Sequence, residues 1–203
     1  IYVRNAKDIN ISSSRISRAS GLATVVLNPS GDVVIEDNDF FNARLNLYTA
    51  QASGLNFYIK GNRFNHPYNL PSNYLIESVG SNSDITATVY VDRNTFVVPS
   101  TSTVNGCLFL SKANGISMAY ITNNKTLGSN IAFITRANSI IHNNYITKTG
   151  GNAISMYAAT DVVFDIQNNV FQQISYNANN TPFDHCDLDF IDFTRSVYGS
   201  RYM

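Results

Sequence analysis

The sequence predicts an all-β protein, a right-handed parallel β-helix (solenoid) of about seven coils, and three observations carry that prediction. A phrase of the form apolar, x, apolar, x, x, Asn, x, apolar recurs along the chain. Aligned on its asparagine, the copies lay aliphatic and aromatic residues into continuous rows. The composition favours strands joined by tight turns: 27 of 203 residues are asparagine, Val, Ile, Phe and Tyr abound, and helix formers such as Glu and Lys are scarce.

The phrase reads VVIEDNDF (33–40), FYIKGNRF (57–64), VYVDRNTF (89–96), AYITNNKT (119–126), SIIHNNYI (139–146) and FDIQNNVF (164–171). A first, degenerate copy is INISSSRI (9–16), where Ser14 replaces the asparagine. The pivots are thus Ser14, Asn38, Asn62, Asn94, Asn124, Asn144 and Asn169. Three residues before them stand Ile11, Ile35, Ile59, Val91, Ile121, Ile141 and Ile166, all β-branched. Two residues after them stand Ile16, Phe40, Phe64, Phe96, Thr126, Ile146 and Phe171, apolar in all but one copy. Period-2 alternation marks each phrase as a strand with one buried face, and the pivots predict an inward ladder of side-chain amides. A second strand precedes most copies: 23–28, 45–50, 74–79, 107–112, 130–135 and 152–157. Two or three short strands per coil of about 24 residues form a parallel β-helix with rungs roughly 4.8 Å apart. Residues 1–175 are assigned to it. Residues 176–203 break the repeat and are read as a C-terminal cap or subunit-contact segment. The strand-like start at Ile1 reads as the interior of a longer polypeptide.

Charge and composition exclude several classes. Fourteen Lys and Arg balance fourteen Asp and Glu with no basic run, which argues against nucleic-acid binding through a phosphate-tracking patch. No apolar stretch approaches the length that spans a bilayer, so membrane insertion is not expected. Two cysteines, Cys107 and Cys186, make no disulfide framework. No metal site or cofactor is expected: the aspartates Asp184, Asp187, Asp189 and Asp192 match no standard calcium loop. Sequons at Asn10, Asn124 and Asn179 are expected by chance in so asparagine-rich a chain.

Residues 9 to about 175, through the repeat phrase and its rows, resemble the pectate-lyase-like right-handed β-helix superfamily. Within it, the low charge and the Asn-, Ser- and Thr-rich coils look most like a bacteriophage tailspike or capsule depolymerase. That resemblance implies a homotrimer, an extracellular location on the virion, and bacterial surface polysaccharide as the partner, bound and cleaved by a hydrolase or a lyase. A non-enzymatic structural or receptor-binding spike module is the alternative. A secreted bacterial polysaccharide lyase comes third, because its expected calcium-binding cluster is missing.

The candidate residues stand on the outward positions of the repeat strand. Tyr58, Tyr90 and Tyr120 occupy one row in consecutive coils and offer aromatic surface and hydroxyls to sugar rings. Glu36, Lys60 and Asp92 occupy another. The two carboxylates are roughly 10 Å apart across the lysine, at the wide limit for an inverting glycosidase; the plainer reading is a surface ion pair through Lys60. His142 is a candidate base. Two long spacings insert residues at one corner, 65–73 and 98–106, where His66 and Tyr68 are candidate binding residues. Glu77, on the strand after the first insertion, is a candidate acid if it faces outward.

Overall fold

The computed structural model describes residues 1–17, 23–49, 53–67, 74–80, 86–98, 106–158, 162–174 and 191–195. Three parallel sheets run along the stack, each contributing one strand per coil. The repeat sheet contains Ile9–Ser12, Val33–Glu36, Leu55–Lys60, Ala87–Asp92, Ile116–Thr122, Asn138–His142 and Phe164–Gln167. After each pivot the chain enters the exit sheet: Arg15–Ser17, Asp39–Phe41, Arg63–Asn65, Thr95–Val97, Lys125–Ser129, Tyr145–Thr149 and Val170–Gln172. The lead sheet contains Tyr2–Arg4, Ala23–Asn28, Ala43–Tyr48, Tyr74–Val79, Gly106–Ser111, Ile131–Arg136, Ile154–Ala158 and Ile191–Arg195. The fold is therefore the expected parallel β-helix of about seven coils.

The register reproduces the aligned rows. Ile35 pairs with Ile59, Ile59 with Val91, Val91 with Ile121 and Ile121 with Ile141, and all five are fully buried. The corresponding exit-sheet row stacks Phe40 on Phe64 at 4.5 Å and Phe64 on Phe96 at 5.2 Å, with near-parallel rings. Thr126 continues this row, fully buried, where a phenylalanine would otherwise stand.

The asparagine ladder ties the coils together. The backbone N–H and the side-chain Nδ2 of Asn38 both donate to Asn62 Oδ1, at 3.0 Å each, and the same pair of bonds links Asn62 to Asn94, Asn94 to Asn124, Asn124 to Asn144 and Asn144 to Asn169. Each Nδ2 also donates to a carbonyl of the preceding coil, as Asn94 does to Ile59 at 2.8 Å. Below Asn38 the ladder loses its side-chain rung: only the Ser14 backbone N–H reaches Asn38, and the Ser14 hydroxyl turns back to Ser12. Asn124 is buried within the ladder and so presents no glycosylation acceptor at its sequon.

The residue before every pivot is left-handed, from Ser13 and Asp37 through Gly61, Arg93, Asn123 and Asn143 to Asn168. Gly, Asn and Asp adopt that conformation at least cost. Ser13 and Arg93 are the exceptions, and the Arg93 Nε donates to Asp92 at 2.9 Å. At the C-terminus the lead sheet continues past residue 175, because Ile191–Arg195 pairs in parallel with Ile154–Ala158. Asp184, His185, Asp187 and Asp189 lie outside the described residues.

Candidate functional site

Alternation within the repeat strand leaves every second side chain on the outer face, and in-register pairing lines those side chains up along the helix axis. Tyr58, Tyr90 and Tyr120 are direct partners in adjacent strands. Their rings stack at 4.9 Å in both pairs, with interplanar angles of 10° and 5°. The spacing equals the separation of neighbouring strands, so pairing itself sets it. One consequence differs from the sequence expectation. The faces of Tyr90 are covered by its two neighbours, so what the row offers a ligand is ring edge and hydroxyl rather than a flat platform. Close packing, with contributions from Tyr58, Tyr120 and Asp32, pushes the Tyr90 phenol above its ordinary range. The Tyr90 hydroxyl therefore stays protonated and able to donate.

The second outward row runs Glu36, Lys60, Asp92, Thr122, His142 and Gln167, as the register requires. The ion pair through Lys60 does not form. The Lys60 ammonium instead lies 4.9 Å over the Tyr58 ring, and Glu36 has no side-chain partner among the described residues. Asp92 is clamped: Oδ1 accepts from Thr122 and from Asn123, both at 2.8 Å, and Oδ2 from Arg93 at 2.9 Å. Partial desolvation acts to raise its pKa, yet the bonds from Asn123, Thr122 and Arg93 prevail and hold the carboxyl below the usual carboxylate range. Asp92 is thus a fixed anion, unsuited to donate a proton. A third flanking row begins with Asp32, whose Oδ1 accepts from the backbone and side-chain nitrogens of Asn56 at 3.0 and 3.1 Å.

His142 Nε2 lies 3.1 Å from Asp165 Oδ2, and Asp165 Oδ1 accepts from Gln167 Nε2 at 2.8 Å. Gln167 first, then His142, hold the Asp165 carboxyl low. The histidine thus lies against a carboxylate of the next coil without a well-aligned hydrogen bond to it, a partner that the sequence analysis did not single out.

Glu77 stands apart. It belongs to the lead sheet, between Asn46 and Phe109, so it is not grouped with Glu36 and Asp92. It is half-buried; desolvation raises its pKa, and Arg44 offsets part of that. Beside it Tyr74 stacks on Phe109 at 4.9 Å, and the Arg136 guanidinium lies 5.4 Å over Phe109. The sequence reading missed this aromatic pair because the register of the lead strands decides it. His66 is buried, 1 % exposed, with its backbone N–H bonded to Val97, and so does not stand on a groove wall as expected. Tyr68 and residues 68–73 and 99–105 of the two insertions lie outside the described residues. Among the described residues no three His, Cys, Asp or Glu side chains gather into a metal-holding group.

Comparison with protein-family models, with curated proteins and with solved structures finds no match.

Proposed function

We propose that this β-helix is a spike-type module, of the kind found in phage tailspikes, that binds bacterial surface polysaccharide along the outer face of its repeat sheet. The observation that carries the proposal is the row of three stacked tyrosines. Three phenol groups repeat at the rung spacing, flanked by Asp32 and Asn56 on one side and by Glu36, Lys60 and Asp92 on the other. A row of donors and acceptors on a rigid lattice suits a repeating hydroxylated chain, because no loop must be ordered on binding. The virion location and the trimer belong to the same proposal and rest on the sequence resemblance.

Binding is better supported than cleavage. Glu36 and Asp92 are two rungs apart, roughly 10 Å, beyond the roughly 6.5–9.5 Å of inverting glycosidases. If the face does cleave, Glu36 and the fixed Asp92 anion are the two candidate carboxylates. A lyase would instead use His142, beside Asp165.

An array of bacterial surface polysaccharides tests the proposal, with Tyr90→Phe and Tyr90→Ala as variants. Because the ring faces are covered, removing the hydroxyl alone should weaken binding about tenfold, one hydrogen bond's worth. Retention of full affinity by both variants refutes the site. Release of reducing ends that Glu36→Gln abolishes would establish hydrolysis; an unsaturated-sugar absorbance lost in His142→Ala would establish the lyase.

A further inference from the structure

The charges on this face carry an inference about which polysaccharide it takes, one that rests on the reading of the face as a saccharide site. On the outward positions of the repeat strands and the residues immediately flanking them stand six carboxylates, Asp8, Asp32, Glu36, Asp37, Asp92 and Asp165. The same positions hold two permanent cations, Lys60 and Arg93, an excess of four negative charges.

Both cations are engaged. Lys60 Nζ lies over the Tyr58 ring at 4.9 Å, and Arg93 Nε donates to Asp92 at 2.9 Å. His142, the remaining titratable base, sits 3.1 Å from Asp165. Glu36, in the same row as Lys60, keeps an uncompensated carboxylate among the described residues. Asp32 and Asp92 hold their positions through two and three hydrogen bonds, so neither can swing away from an approaching ligand. The face is thus a fixed negative lattice bordering a row of neutral hydroxyl donors.

We propose that the tyrosine face selects neutral or amine-bearing polysaccharides and rejects polymers of uronic acids. A neutral chain meets hydroxyl donors and carboxylate acceptors, both of which pair with sugar hydroxyls. Protonated amines on the sugar add attraction to Glu36. A polyuronate brings a carboxylate to every residue and meets six carboxylates against two cations that are already engaged, so the net interaction along the lattice is repulsive.

The test measures binding of dextran, chitosan and polygalacturonate to the intact chain at low and at high salt, with Tyr90→Ala to show that the face is involved. The expected result is Tyr90-dependent binding of dextran, of chitosan or of both, with polygalacturonate at least about tenfold weaker at low salt and that gap narrowing as salt screens the face. Glu36→Lys, a change at a solvent-facing position, should narrow the gap at low salt by admitting the polyuronate. Polygalacturonate binding as tightly as the other polymers, in a Tyr90-dependent way, overturns the charge selection while leaving the saccharide site standing. Failure of all three polymers, together with failure of the surface-polysaccharide array, overturns both.

Discussion

Replacing Asn94 by alanine tests the idea that the ladder holds the coils in register. The side chain of Asn94 serves four bonds: Oδ1 accepts from the Asn62 backbone N–H at 2.9 Å and Asn62 Nδ2 at 3.0 Å, while Nδ2 donates to Ile59 at 2.8 Å and to Asn124 Oδ1 at 3.1 Å. Two groups keep other partners after truncation. Asn62 Nδ2 retains Ile35, and Asn124 Oδ1 retains the Asn94 backbone N–H. The Asn62 backbone N–H is left buried with its ladder acceptor gone, which costs about 1–3 kcal/mol; the bonds lost to Ile59 and Asn124 add about 1 kcal/mol each. The sum is about 4 kcal/mol, a large part of the stability of an ordinary domain. Asn169 makes the same bonds to Asn144 and Ile141 but is only partly buried, so water can replace them and Asn169→Ala should cost about 1 kcal/mol. Urea unfolding followed by circular dichroism measures both, and native-state hydrogen exchange should show the Asn62 amide losing protection in Asn94→Ala. Equal costs at Asn94 and Asn169, or a cost below about 1 kcal/mol at Asn94, would refute the reasoning.

Thr126→Val should stabilise by about 1 kcal/mol in the same urea assay, since the Thr126 hydroxyl is buried without a hydrogen-bond partner among the described residues and valine keeps its shape. Cys107 is fully enclosed, and burial pushes its thiol up to about 12 against a small opposing contribution from Ser129; peptide mapping should therefore find it unalkylated in the native protein and labelled only after unfolding. Glu77 has a raised pKa, so the folded state binds the proton more tightly than the unfolded one and stability falls as pH rises from its unfolded value through the folded one. Glu77→Gln should remove that decline, most visibly above the window, as a flatter melting-temperature profile against pH; an unchanged profile would show that desolvation at this site is slight.

Much of the fold was legible before any coordinates, because a solenoid repeats one local problem. Each coil must bury an aliphatic at Ile59 or Val91 and satisfy the turn at Asn62 or Asn94, so the same residue types recur at the same offset. The outward rows were legible for the same reason: alignment on the pivots already placed Tyr58, Tyr90 and Tyr120 side by side. The sequence by itself thus determined the coil, its in-register stacking and which side chains share a face.

The tertiary structure alone decided what those side chains do to one another. The tyrosines cover each other's faces, Lys60 chooses the Tyr58 ring over its neighbouring carboxylates, and Asp92 is pinned by Thr122 and Asn123 of the next coil. It also decided that Glu77 and His66 stand away from the tyrosine row, the first on another sheet and the second inside. The physical reason is one of scale. Strand pairing is a backbone property with a fixed spacing that periodicity reports, whereas rotamer, burial and partner depend on atoms from coils 20 to 35 residues away.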